Sequence, residues 1–468
     1  MNPLINRLFG VEYMVKPDLR RGDLPTNREA YRTELKIATP SMCEMIFLSL
    51  IGMMDTLMVS TLGTYAISSV GLTNQPRMIL LAIFFALNVG VTAVVARRKG
   101  EGRQEEARMA LRQAMVMISL IAILIMILSV FVSEPLMRLA GAKADTLGPS
   151  TDYFRIICLG LLCNALTMAI CAALRGVGDT KITMKVNITA NIVNVIFNYL
   201  LIGGHFGFPR LEVRGAAIAT VIGQAVGMGM ALRAVFRKDS YFALRLRDSW
   251  RLSKDVTGTI IKVGSNAVIE QIAMRVGFFI TSRLIADLGT VDFAVNQICG
   301  QITTFSFTFA DGTGTATASL VGQNLGRKRP DLSMMYGRIG QRLVLVISAL
   351  LIIIFLVFRY PLIGLFSSDP VILEKGAACC IVMAIIIPFQ MLQIVVSGSL
   401  RGAGDTRFVA NTMLLCVMVI RPVMTYLCVY VFGFGVIGAW TAMLVDQCFR
   451  LTLVMRRFSS GRWATIRV

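Results

Sequence analysis

Histidine is almost missing from this chain: His205 is the single one in 468 residues. One imidazole cannot assemble a His-based metal site, and it lies in an expected outer loop, away from any Ser-His-Asp pattern. Charge is also scarce, 16% of residues against 55% hydrophobic, with a mean hydropathy of +0.69. That balance excludes a soluble globular chain. The ten cysteines have no paired CxxC spacing and lie within apolar blocks, so they read as small packing residues rather than metal ligands or disulfide halves. No positive-apolar-small cleavage pattern precedes the first apolar block, which argues against a removable secretory signal.

What the chain has instead is apolar runs of roughly 20 residues, the length that crosses the hydrocarbon layer as a helix. About twelve are present, six per half. The spacing predicts an all-α polytopic membrane protein of twelve helices in two six-helix lobes. Residues 1–34 form an amino-terminal arm, 35–236 the first lobe, 237–257 a basic connector, 258–458 the second lobe and 459–468 a tail.

The two lobes are copies. Leu174-Arg175-Gly176-Val177-Gly178-Asp179-Thr180 returns as Leu400-Arg401-Gly402-Ala403-Gly404-Asp405-Thr406 at an offset of 226 residues. The same offset carries Leu62-Gly63-Thr64 onto Leu288-Gly289-Thr290 and Glu44 onto Glu270. Gln224 falls on Gln447 at an offset of 223. Several landmarks in one register mark a duplicated half. Six spans is an even number, so the halves are parallel repeats and a substrate site is expected between them near the bilayer midplane. The glycines of each heptapeptide suit a tight helix reversal, and Asp-Thr suits the start of the next helix. No Lys-Ser/Thr follows Gly178 or Gly404, so a nucleotide loop is not formed there.

The formal charge of +20 raises the question of nucleic acid, and its distribution answers it. With a cytoplasmic amino terminus, roughly 35 Lys and Arg fall in cytoplasmic segments and roughly 6 in outer ones, a positive-inside bias. Arg97-Arg98-Lys99, Arg327-Lys328-Arg329 and Arg456-Arg457 sit in separate inter-helix segments, not on one nucleic-acid face. Both termini are therefore expected in the cytoplasm, with anionic lipid as the partner of the basic loops and no nucleic acid.

A carboxylate at mid-helix costs about 2.5 to 3.5 kcal/mol to insert, so each one asks for a reason. Glu44, Asp55, Glu270, Asp311 and Asp446 are the candidates, with Arg77, Arg155, Arg275, Arg283 and Arg421 as basic counterparts. Asn187, Asn191, Asn194 and Asn198 step by four, three and four along the fifth span and line up as an amide stripe. Thr220 and Gln224 repeat the step on the sixth. In the second half Gln297, Gln301, Thr304, Thr308, Asp311 and Thr315 form another stripe, and Gln390 stands on the tenth span. Such stripes serve either as helix-helix glue or as the wall of a hydrated, cation-attracting pocket. The pocket reading takes Glu44, Gln75, Asn187, Asn191, Thr220, Gln224, Gln297, Gln301, Thr308, Asp311 and Gln390 as its lining. Glu270 has an ion pair with Arg275 or Arg421 as its alternative role, and Arg421 with Asp446 reads as a structural lock.

Taken together, Asp55-Thr56 with Leu62-Gly63, the two Leu-Arg-Gly-x-Gly-Asp-Thr turns, Gly322-Gln323-Asn324-Leu325-Gly326 and Glu270 resemble the multidrug and toxic compound extrusion family. The closing Arg421-Pro422, Gly438-Ala439-Trp440 and Arg457-Phe458 with Trp463 resembles its bacterial branch related to the DNA-damage-inducible F proteins. The resemblance implies two six-helix lobes forming a V and the export of amphipathic organic cations against inward H+ or Na+. It further implies Asp55 as the cation-coupling carboxylate of the first lobe, with Asn194 and Asn198 beside it, and Glu270 as its counterpart. Asn198 stands where many members carry Asp, which weakens an Na+ site near Asp55 in the first lobe, and Gln390 where some carry Asp, which weakens one in the second lobe; both departures favour H+. No cofactor is implied, and the expected state is a monomer in the bacterial inner membrane. The alternative within transport is a lipid-linked oligosaccharide flippase, which would want Arg77, Arg155, Arg275 and Arg283 on a pyrophosphate. An enzyme would need a nucleophile-base pair or metal ligands that this sequence does not offer.

Overall fold

Runs of apolar residues with no water to satisfy their backbone can close their hydrogen bonds only within a helix or a barrel. The computed structural model takes the first solution throughout. It describes residues 9–15, 17–245, 247–250 and 253–466, and leaves undescribed the side chains of Asp18, Thr56, Thr64, Ile67, Gln75, Ala144, Lys254 and Asp255. Among these residues there is no strand. Six helical rods make the first half: α1 (Asn27–Ser60), α2 (Thr64–Gly100), α3 (Gln104–Leu139), α4 (Ala144–Leu159 and Leu161–Gly176), α5 (Thr180–Gly203) and α6 (Glu212–Phe236). The second half repeats them as α7 (Lys254–Ala286), α8 (Thr290–Gly326), α9 (Pro330–Val357), α10 (Pro370–Gly402), α11 (Thr406–Val431) and α12 (Gly435–Ser459).

Eight of these are long and apolar enough to cross a membrane by length and composition, or nine with the two pieces of α4, which meet at 47°, taken as one span. The three that fall short are α7, α8 and α12. They carry Glu270, the Gln297–Thr315 stripe and Asp446, the residues that the sequence marks as polar exceptions. In α11, π-helical turns over Cys416–Ile420 and Leu427–Val431 flank Arg421–Tyr426, an irregularity common at functional positions.

The first helix starts at Asn27, eight residues before the expected boundary at 35. Thr26 and Glu29 form a capping box: the Glu29 carboxylate accepts from Thr26 N at 3.1 Å, and Thr26 Oγ1 accepts from Glu29 N at 3.4 Å. Charge in residues 28–34 masks this start from a hydropathy reading.

Each heptapeptide closes a helix with the same bonds. Asp179 N donates to Leu174 O and Asp405 N to Leu400 O, both at 2.8 Å, with Gly178 and Gly404 at φ 80° and 90°. Gly176 and Gly402 have another task. A Cβ on Gly176 would lie 2.9 Å from Thr92 O, and one on Gly402 2.1 Å from Ala318 O, the same helix contact in each half. Neither Asp179 nor Asp405 caps the following helix with its side chain, contrary to the sequence expectation. Asp405 instead accepts from Arg457 Nε at 2.6 Å, because a nearby guanidinium outbids a backbone amide.

The chain divides into two compact units, residues 43–264 and residues 1–42 with 265–468. The boundaries fall inside α1 and α7, so the opening turns of each half belong to the unit built by the other half. In the 43–264 unit, Gly90 of α2 brings the backbone against Ile260 of α7, where a Cβ would be 2.6 Å from Ile260 O. The connector docks here as well, through buried Phe242 and Leu244, an Arg112–Asp248 ion pair at 3.4 Å and the Gln113 amide nitrogen, which donates to Thr257 Oγ1 at 2.9 Å. In the other unit, Gly312 of α8 brings the backbone against Met42 of α1.

Gly402→Ala is expected to lower stability by about 1 to 3 kcal/mol, through overpacking against Ala318. Gly176→Ala, with the looser contact, should cost less. Thermal unfolding of the purified full chain in detergent measures both, and an unchanged midpoint for Gly402→Ala would contradict the packing argument.

Candidate functional site

In the 43–264 unit the amide stripe of α5 serves two carboxylates of α1. Asn187 Nδ2 donates to Glu44 Oε1 at 2.7 Å, and Asn198 Nδ2 donates to Asp55 Oδ1 at 2.8 Å. Each amide lies 143 residues beyond its carboxylate. The two helices therefore run parallel in register, and eleven residues, roughly 16 Å of helix, separate the two contacts on both. Asn191 is spent on its own helix, donating to Asn187 O at 2.8 Å.

The contact nearer the carboxyl end of α1 gathers four side chains. With its amide nitrogen turned to the carboxylate, buried Asn194 donates to Asp55 Oδ1 at 2.9 Å and Oδ2 at 3.2 Å and accepts from Thr220 Oγ1 at 3.1 Å. Gly223 lets α6 come this close to α5, since a Cβ there would lie 2.5 Å from Ala190 O. Asp55 is half-buried, and its partners are neutral. Arg77 acts on it through space but is not within ion-pair distance, and Asp55 has no ion pair among the described residues. Gln224 is half-buried with Oε1 unpartnered. The side chain of Gln75 lies outside the described residues.

Glu44 is treated differently. It is 1% exposed and held by Arg175 Nη1 at 3.4 Å, Thr183 Oγ1 at 3.0 Å and Asn187. Its repeat counterpart Glu270, 4% exposed, pairs with Arg401 Nη1 at 2.7 Å. Arg175 and Arg401 are the arginines of the two heptapeptides. The pairing partner of Glu270 is thus neither Arg275, which is exposed, nor Arg421. Sequence reasoning missed these arginines as partners, although they share the 226-residue offset of the two glutamates. In the second half Val409 and Met413 stand where Thr183 and Asn187 stand in the first, so Arg401 alone answers Glu270 among the described side chains.

Two residues expected in a cavity lining are instead buried within the unit of residues 1–42 and 265–468. Thr308 donates to Thr304 O, and Gln390 is 0% exposed, with Ser306 Oγ donating to its Oε1 at 3.4 Å. The two helices also approach closely further along, where Gly398 of α10 brings the backbone against Gly314 O of α8 and a Cβ would be 2.6 Å away. Gln297, Gln301 and Asp311 are exposed on α8. Asp446 is fully buried and accepts from Arg421 Nε at 2.9 Å and from Arg450, which forms the expected lock with one more arginine, four residues along the same helix. The described residues hold no group of three or more His, Cys, Asp and Glu that could hold a metal ion.

The arrangement therefore contains one carboxylate among amides and a hydroxyl, and several carboxylates tied to arginine. Comparison with known proteins adds the family. Over 435 residues the chain is 29% identical to a probable multidrug resistance protein NorM of Thermotoga maritima, covering 92% of both chains. It is 28% identical over 384 residues to the multidrug resistance protein PmpM of Pseudomonas aeruginosa, 80% of both. Its fold is similar, with a TM-score of 0.86 over 97% of this chain and 98% of the other, to the outward-facing conformation of a multidrug resistance MATE family transporter of the MOP superfamily. At 21% identity that likeness speaks for the fold. The MatE family model matches twice, over residues 40–200 and 267–427, once for each copy of the duplicated unit. With most of both halves matched, the chain belongs to the MatE family.

Proposed function

We propose that this chain is a secondary active exporter of amphipathic organic cations, driven by inward H+ in preference to Na+, with Asp55 as the exchange carboxylate. The observation that carries this is the contrast among its carboxylates. Glu44, Glu270 and Asp446 each have an arginine, whereas among the described residues Asp55 has only Asn194 and Asn198 as hydrogen-bond donors. A half-buried carboxylate of that kind has one negative charge to be met by a proton or by a cationic drug. Mutual exclusion of the two at one group is the chemical basis of antiport. The names of the relatives NorM and PmpM, both multidrug resistance proteins, support the substrate class.

The group contains a single carboxylate, since Asn198 replaces the Asp of many family members, and a lone carboxylate favours H+ over a multi-oxygen Na+ shell. Thr220 fixes Asn194, and Asn194 and Asn198 hold the carboxylate in place between proton and drug. On this reading Glu270 anchors the turn at Arg401 rather than exchanging ions. One proton against one monovalent cation moves no net charge, so the pH difference alone drives the cycle. A membrane potential of about 100 mV, worth roughly 2.3 kcal/mol per charge, contributes only when the stoichiometry is unequal. The basic loops support a bacterial inner-membrane location with both termini cytoplasmic. The flippase alternative ranks second: it wants unpaired cations, yet Arg283 is paired with Asp287 at 2.7 Å and Arg155 donates to Ser133 at 3.0 Å.

Inverted vesicles should take up a fluorescent cation when given only a proton gradient. Asp55→Asn is expected to lower that uptake at least about tenfold, equivalent to about 1.4 kcal/mol or more. Wild-type uptake by Asp55→Asn, or uptake that needs a sodium gradient, overturns the proposal. Arg401→Ala leaves Glu270 buried and unpaired, so it should cost about 3 kcal/mol of stability, and adding Glu270→Gln should restore most of it. Thermal unfolding of the single and double variants reads this, and equal loss in both would sink the anchor assignment.

A further inference from the structure

The amino-terminal part of α1 carries a carboxyl group that the exporter reading does not use. Glu34 is 0% exposed and lies in the unit of residues 1–42 and 265–468. Ala30, Ile37 and Ala38 of the same helix belong to a buried apolar cluster with Ala316 and Leu320 of α8, which flank Thr317, and with Met335, Tyr336 and Ile339 of α9. Among the described residues its one hydrogen-bond donor is Thr317 Oγ1, 2.6 Å from Oε1, and Oε2 is buried without a partner. No ion pair reaches it among the described residues. Tyr336 of α9 is the titratable group that feels its charge. Arg327 acts on Tyr336, as does Glu29, and Arg342 acts on Tyr31, but none of these is in ion-pair contact with Glu34.

The seam that holds this segment is built for close approach. Gly312 admits Met42, whose Cα would lie 2.8 Å from a Cβ there, and Thr313 Oγ1 is 3.5 Å from Met42 Sδ. Contacts 34 with 317 and 42 with 313 run the two helices antiparallel. A fully buried carboxylate with no cation among the described residues is costly to keep ionised, and a proton removes that cost. A proton on Oε2 would leave Oε1 as the carbonyl oxygen that accepts from Thr317.

We propose that Glu34 is a second proton-binding site of this chain, protonated while residues 27–42 are seated on α8 and α9, and that losing the proton unseats them. The geometry differs from that of Asp55 in each respect: full burial, one hydroxyl donor, no amides. The internal repeat offers no equivalent, since Ile260 occupies the matching position of α7.

Infrared difference spectra of the full chain in lipid nanodiscs test this directly. Wild type minus Glu34→Gln should show the C=O band of a neutral carboxylic acid, and Asp55→Asn should keep that band. Thr317→Val, which removes the donor to the carbonyl oxygen, should move the band to higher frequency. Raising the pH until the band disappears should speed amide exchange in residues 27–42 of wild type beyond the intrinsic pH effect, and leave Glu34→Gln slow. No band lost in a folded Glu34→Gln, a band unmoved in Thr317→Val, or the same exchange profile in Glu34→Gln as in wild type overturns the proposal. Failure of the exporter reading shows separately, as Asp55→Asn uptake at the wild-type rate with the Glu34 band intact.

Discussion

A carboxylate placed in a helix that crosses hydrocarbon must find a cation, a proton or a shell of donors, and α1 carries three that meet this demand in three ways. Glu44 has arginine, threonine and asparagine around it; Asp55 has two amides; Glu34 has one hydroxyl. They stand ten and eleven residues apart, about 15 Å each step, so one helix samples three electrostatic environments along its length. Much else in the chain follows from supplying those environments. The α5 amides line up because two carboxylates need them, and Arg175 is tied to a turn whose position is set by duplication.

The duplication is structural more than functional. Both halves keep the heptapeptide turn, the glycine within it that brings two helices together, and the glutamate–arginine pair that fastens the turn to the first helix of the half. What differs is the polar chemistry around that frame. The first half has Asp55 with Asn194, Asn198 and Thr220. In the second, Thr281 and Met424 replace Asp55 and Asn198, and a buried Arg421–Asp446–Arg450 group appears instead. Two arginines against one carboxylate leave that group with a surplus positive charge in a fully buried place, between π-helical turns of α11. A buried pair of this kind locks two helices because removing either partner strands a charge.

Membrane insertion explains why some polar residues were readable in the sequence and others were not. Asp55, Glu270 and Asp446 stood out because a carboxylate in an apolar run is costly anywhere along it. Glu34 did not, because Arg28, Glu29 and Arg32 beside it hid the helix in a stretch that looked like a solvated arm. The start at Asn27 was written in Thr26 and Glu29, a local capping signal that hydropathy does not weigh. Thr308 shared the four- and three-residue spacing of its exposed neighbours Gln301, Thr304 and Asp311, and periodicity alone could not tell a wall from a buried seam.

The all-helical architecture, the two six-helix halves and the stripe spacing were determined by the order of residues alone, since hydrocarbon thickness and helical pitch leave few choices for apolar runs of this length. Tertiary structure decided who partners whom. Arg401 rather than Arg275 answers Glu270, Asn187 and Asn198 divide between two carboxylates, and the opening turns of α1 belong with the second half. Those outcomes depend on distances between helices remote in sequence, set by glycine contacts at Gly176, Gly312 and Gly402, and no single segment contains them.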